Sequence, residues 1–163
     1  MPINDAVTRA RRWLLREPAG DGPAAAPTCA GRARVLLAGA DTSQGVMIRR
    51  ALERDGFEVD CCESGRAAVL ALVQSPPDLL LVNAPLRDGA AAALLRWTRA
   101  RRASEHMTCM VMAAPGDCEL IAGLYDAGAD FVITRRTEID LLSRKVAAAL
   151  ARRPLALASN AVA

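Results

Sequence analysis

The apolar positions of this chain change period repeatedly, dividing it into short continuous runs and longer helical stretches. The clearest run is Leu79-Leu80-Leu81-Val82, inside the span Pro77–Pro85, apolar without alternation and bounded by prolines and a turn. A strand with no polar face is buried on both sides, as in the middle of a parallel sheet. Pro77–Pro85 is therefore predicted as a central strand. Asn83 stands near its carboxyl end, where open parallel sheets place ligands and reactive groups.

The remaining elements fall in order around it. Val35–Ala38 reads as a strand ending at Gly39-Ala40-Asp41, after which Ser43 opens a helix carrying Met47, Ile48, Ala51 and Leu52 and closed by Gly56. Phe57–Cys61 alternates like an edge strand. Ser64 caps a second helix with Ala68, Val69, Leu72 and Val73 on one side, stopping before Pro76-Pro77. Past the central strand, Asp88-Gly89 turns into a third helix through Leu94, Leu95 and Trp97, ending in the basic cluster Arg99, Arg101 and Arg102. Cys109–Ala113 is a fourth strand, and Pro115-Gly116-Asp117 caps a helix through Leu120, Ile121 and Leu124. Phe131–Thr134 is a fifth strand. The last helix starts at Thr137, with Asp140 in a near capping box, and runs through Ile139, Leu142, Val146 and Leu150 to Pro154. Such alternation implies right-handed crossovers and a parallel sheet covered on both faces, a three-layer α/β/α domain over residues 34–153.

Two further segments precede this domain. Residues 4–17 read as a helix, with Ile3, Val7, Ala10 and Leu14 at helical spacing, Trp13 and Leu15 widening the apolar side, and Arg9, Arg12 and Arg16 elsewhere. A basic amphipathic helix can pack on its own domain, pair with a second copy, bind a partner or lie on a membrane. Residues 18–33, rich in Gly, Pro and Ala, read as a linker, and residues 154–163 as a flexible tail too small for an output domain.

Composition narrows the function classes. The chain of 163 residues is 52% hydrophobic but 3% aromatic, so its core is built from Ala, Leu and Val. Lys145 is the sole lysine among 21 basic residues, and these are interspersed with 18 acids to a net charge of +3, which argues against a nucleic-acid partner. No stretch approaches 18 uninterrupted apolar residues and the first residues lack an export signal, so a cytoplasmic protein is expected, without a membrane partner. The cysteines, Cys29, Cys61, Cys62, Cys109 and Cys118, lack the spacing of a zinc site and read as thiols of a reducing compartment.

The succession Arg34-Val-Leu-Leu followed by Asp41, Arg50-Ala-Leu-Glu-Arg-Asp-Gly-Phe-Glu-Val, Pro77-Asp-Leu-Leu-Leu-Val, Ile121-Ala-Gly-Leu-Tyr-Asp-Ala-Gly-Ala-Asp, and Ile133-Thr134 before a basic residue resembles the receiver domain of bacterial response regulators. The resemblance implies the flavodoxin-like, CheY-like fold, a five-stranded parallel sheet of order 2-1-3-4-5, here with an extra N-terminal helix. It also implies an acidic pair after the first strand, a phosphorylatable Asp after the third, a hydroxyl after the fourth and Lys-Pro after the fifth. A carboxylate nucleophile takes the phosphoryl group beside an acid-bound magnesium ion, and the hydroxyl and ammonium then read the product. This sequence departs at each position. Gly39 and Ala40 replace the acidic pair, leaving Asp41. Asn83 replaces the phosphoacceptor, Ala113 the hydroxyl, Arg135 the lysine and Arg136 the proline with its cis peptide, while Val132 stands at the switch aromatic.

The expectation is a degenerate pseudo-receiver in two-component-type signal transduction, a phosphorylation-independent protein–protein interaction module rather than an enzyme, with no metal and no cofactor. A histidine kinase, another regulator or other signalling protein is the implied partner, with a homodimer as an alternative. The candidate partner surface is Tyr125, Arg135, Arg136, Arg144 and Lys145, and the adjacent Arg135-Arg136 could recruit a carboxylate or small anion. Two other readings stay open. Cys61-Cys62 suggest a redox or small-ligand sensor, and the same architecture hosts flavin and cobalamin binders. The segment Gly39–Gly45 lacks the G-x-G-x-x-G spacing, and the lone His106 falls in a loop.

Overall fold

The computed structural model describes residues 32–101, 107–135 and 139–152. The expected helix at 4–17, the linker up to residue 31, the tail from 154, and Cys29, Arg102, His106, Arg136 and Thr137 lie outside these residues. Within them the order is β1 (Arg34–Ala38), α1 (Ser43–Arg54), β2 (Glu58–Cys62), α2 (Gly65–Gln74), β3 (Leu79–Asn83), α3 (Ala91–Arg99), β4 (Thr108–Ala113), α4 (Cys118–Asp126), β5 (Phe131–Thr134) and α5 (Ile139–Ala151). The five strands form one parallel sheet of order β2-β1-β3-β4-β5, as the resemblance to receiver domains implies. β3 is central and every residue in it is buried.

Alternation along the strands builds two cores. Leu36, Leu80, Val82, Cys109, Val111 and Val132 point to one face, where α2, α3 and α4 bring Leu72, Leu95 and Leu124. Val35, Leu37, Leu79, Leu81, Met110, Met112 and Ile133 point to the other, where α1 and α5 bring Ile48, Leu52, Leu142 and Val146. The helix starts are fixed by side chains whose oxygens accept orphan backbone N–H groups. Thr42 accepts from Gly45 at 3.0 Å, Ser64 from Ala67 at 3.2 Å and Asp117 from Leu120 at 2.9 Å. Gly56, at φ +94°, takes the left-handed conformation that ends α1.

Three positions expected to face inward do not. Met47, Val73 and Leu120 are 55%, 53% and 44% exposed. In each case the buried stripe is centred on a neighbouring residue, and a helical turn of 3.6 residues carries the next apolar position out of it. In α1 the inward residues are Gly45, Ile48, Ala51 and Leu52, and in α2 they are Gly65, Ala68 and Leu72.

The basic cluster after α3 is divided between structure and surface. Arg99 donates to Asp130 at 2.5 Å, to the carbonyl of Gly128 at 2.8 Å and to that of Met107 at 3.1 Å. It thereby ties α3 to the turn before β5. Asp130 completes the tie by accepting from the Cys109 N–H at 2.8 Å. Arg101 instead stacks over Trp97. Among the described residues, no helix is long and apolar enough to cross a membrane.

Leu81 is wholly buried at the middle of the sheet. Truncation, Leu81→Ala, is expected to destabilise the domain by about 3 kcal/mol, read as a lower urea midpoint at unchanged slope.

Candidate functional site

At the carboxyl edge of the sheet, β1 and β3 deliver Gly39 and Asn83 side by side. Asn83 is 4% exposed. Its Nδ2 donates to the carbonyl of Gly39 at 3.2 Å and to Thr42 Oγ1 at 3.3 Å. The Gly39 carbonyl can only accept, so it sets the amide orientation, whereas the Thr42 hydroxyl can also donate; the buried Oδ1 is left without a partner. A carboxylate here would place a second acceptor against Gly39. The local structure therefore calls for a neutral donor.

Gly39 closes the approach from β1. Its φ is +84°, and a Cβ at this position would lie 2.7 Å from the Asn83 carbonyl oxygen and 3.2 Å from a Leu86 methyl. The N–H groups of Gly39 and Ala40 both donate to the Cys62 carbonyl, at 2.9 and 3.1 Å. Beyond them Gly45 lets α1 pack on the Ala40 backbone, where a Cβ would meet Ala40 Cα at 2.7 Å. Neither Gly39 nor Ala40 offers a carboxylate, and Asp41 is exposed. Magnesium requires anionic oxygens held near octahedral geometry, which these residues do not supply. Among the described residues, no three His, Cys, Asp or Glu side chains converge as metal donors.

The expected switch positions are held by backbone bonds. Ala113 is buried, and its carbonyl accepts from the Arg135 N–H at 2.9 Å. The Arg135 carbonyl accepts from Gln44 Nε2 at 3.0 Å, fixing the end of β5 to α1, while Arg135 Nε is buried without a partner. Val132 is buried, and its N–H donates to the Tyr125 hydroxyl at 3.1 Å. Burial pushes the Tyr125 phenol above its ordinary range, against the smaller opposing effect of that N–H. Of the candidate partner surface, Tyr125 is thus half-buried and tied to β5, Arg144 is exposed, and Lys145 is half-buried with its ammonium lowered by desolvation. Arg136 is outside the described residues.

Sequence reading missed three residues of this region. Thr42 serves both the α1 cap and Asn83, and its position before a helix was a visible signal. Gln44 carried none. Asp88, read only as a turn residue, reaches across to the start of α2, accepting from Gly65 and Arg66, each at 3.2 Å, and from Ala90 at 3.4 Å. The Gly65 N–H, foremost among these, holds its carboxyl below the usual range. The loop leaving β3, which includes the cis Ala84–Pro85 peptide, is thereby anchored to a neighbouring helix.

The Cys61, Cys62 and Cys109 thiols are not activated by their surroundings. Burial pushes Cys62 and Cys109 up to about 12, and partial desolvation raises the exposed Cys61. Reactive cysteines need the opposite shift.

Two substitutions test this geometry. Gly39→Ala forces a side chain into left-handed backbone against a carbonyl and is expected to lower stability by about 2 kcal/mol in chemical denaturation. Asn83→Asp buries a carboxyl against the Gly39 carbonyl, so desolvation and that acceptor are expected to hold its folded pKa above the unfolded value of about 3.9. Its stability should match the parent most closely below that value and fall as pH rises through the folded pKa, by roughly 1–3 kcal/mol at neutrality. A pH series of melting temperatures checks the slope.

No protein-family model matches the chain. Over 100 residues it is 31% identical to the phosphate regulon transcriptional regulatory protein PhoB of Rhizobium meliloti, covering 61% of this chain and 44% of that protein. The chain thus spans less than half the length of this relative. Among solved structures, a CheY-like response regulator receiver domain protein from Methanospirillum hungatei superposes with a TM-score of 0.68 at 22% identity, over 76% of this chain and 97% of the other. Chemotaxis response regulator CheY4 of Vibrio cholerae gives 0.68 at 15% identity, over 72% and 98%. The signal receiver domain of a histidine kinase from Syntrophus aciditrophicus gives 0.68 at 22%, over 73% and 90%. With the sheet order and the two helical layers, these likenesses establish that the described residues carry the response-regulator receiver, CheY-like fold.

Proposed function

We propose that this domain is a pseudo-receiver, a module of two-component-type signalling that binds protein partners without being phosphorylated and has no catalytic activity of its own. The observation that carries the reading is the packing of Asn83 against Gly39. The position of the phosphoacceptor holds a neutral amide donating to a backbone carbonyl, and the neighbouring strand end has no room for the acid that would help hold magnesium. An amide nitrogen whose lone pair is delocalised is a poor nucleophile, so attack on a phosphoryl donor has no group to perform it. Readout lacks its parts as well: Ala113 has no hydroxyl, and Val132 has no aromatic ring.

The likeness to a transcriptional regulator and to receiver domains supports a signalling partner, a histidine kinase, another regulator or a similar protein. Binding to such a protein in the cytoplasm requires only a persistent surface, which the two packed cores supply. The exposed arginines, Arg144 among them, suit acidic protein surfaces, whereas the mixed charge of the chain gives no footprint for nucleic acid.

Incubation with acetyl phosphate and magnesium, followed by intact-mass spectrometry, is expected to show no acid-labile gain of one phosphoryl group. A stoichiometric gain at Asn83 or Asp41 overturns the reading. Asn83→Asp alone is expected to remain unphosphorylated under the same conditions, because Gly39 and Ala40 leave the metal without its ligands.

A further inference from the structure

No further inference is drawn: the strongest candidate, the side-chain cluster of the buried Asn83 Oδ1, the buried Arg135 Nε and the acid-free first turn of α1 at the carboxyl edge of the sheet, belongs to the candidate site already described, and its unpartnered acceptor and unpartnered donor call for ligands of opposite chemistry.

Discussion

The contact between Gly39 and Asn83 governs this molecule. Parallel strands deliver their carboxyl ends to one edge, so whatever stands at the ends of β1 and β3 must coexist within a few ångströms. Here the two ends meet as a left-handed glycine and a buried amide, joined by one hydrogen bond and by van der Waals contact. A pocket for a divalent ion needs the reverse, a cleft lined by oxygens bearing charge. Packing and chemistry compete for this edge, and on the proposed pseudo-receiver reading packing has taken the space.

The surrounding bonds extend the same logic. Gln44 ties α1 to the end of β5, Asp88 ties the loop after β3 to α2, and Tyr125 ties α4 to β5. Each spends on a neighbouring backbone group a polar side chain that could otherwise have met a ligand. The result is an edge whose loops are held by donor–acceptor pairs inside the chain.

The layered architecture was legible because it rests on period: the unbroken Leu79–Val82 run, the alternation from Phe57 to Cys61, and the caps Ser64 and Asp117 each report local physics. The substitutions at Gly39, Asn83, Ala113 and Arg135 were equally visible, since each was compared with a known chemical requirement. The left-handed backbone of Gly39 was not, because φ at a strand end depends on what packs beside it. Asp88 and Gln44 were invisible for a related reason. Their partners lie 22 to 23 and 91 residues away in sequence, and a long-range bond between a side chain and a backbone group leaves no periodic trace. Met47, Val73 and Leu120 show the limit of apolar periodicity, which locates a stripe but not its centre to better than one residue.

The Tyr125 hydroxyl on the Val132 N–H has a consequence of another kind. β5 is the last strand on its side of the sheet, and the outward N–H groups of a last strand invite a foreign strand to pair with them. A phenol already bonded at the second residue of a four-residue strand leaves too short an unoccupied row for such an intruder to register. The Tyr125 hydroxyl thus shortens the row of outward N–H groups that this border can offer a foreign strand.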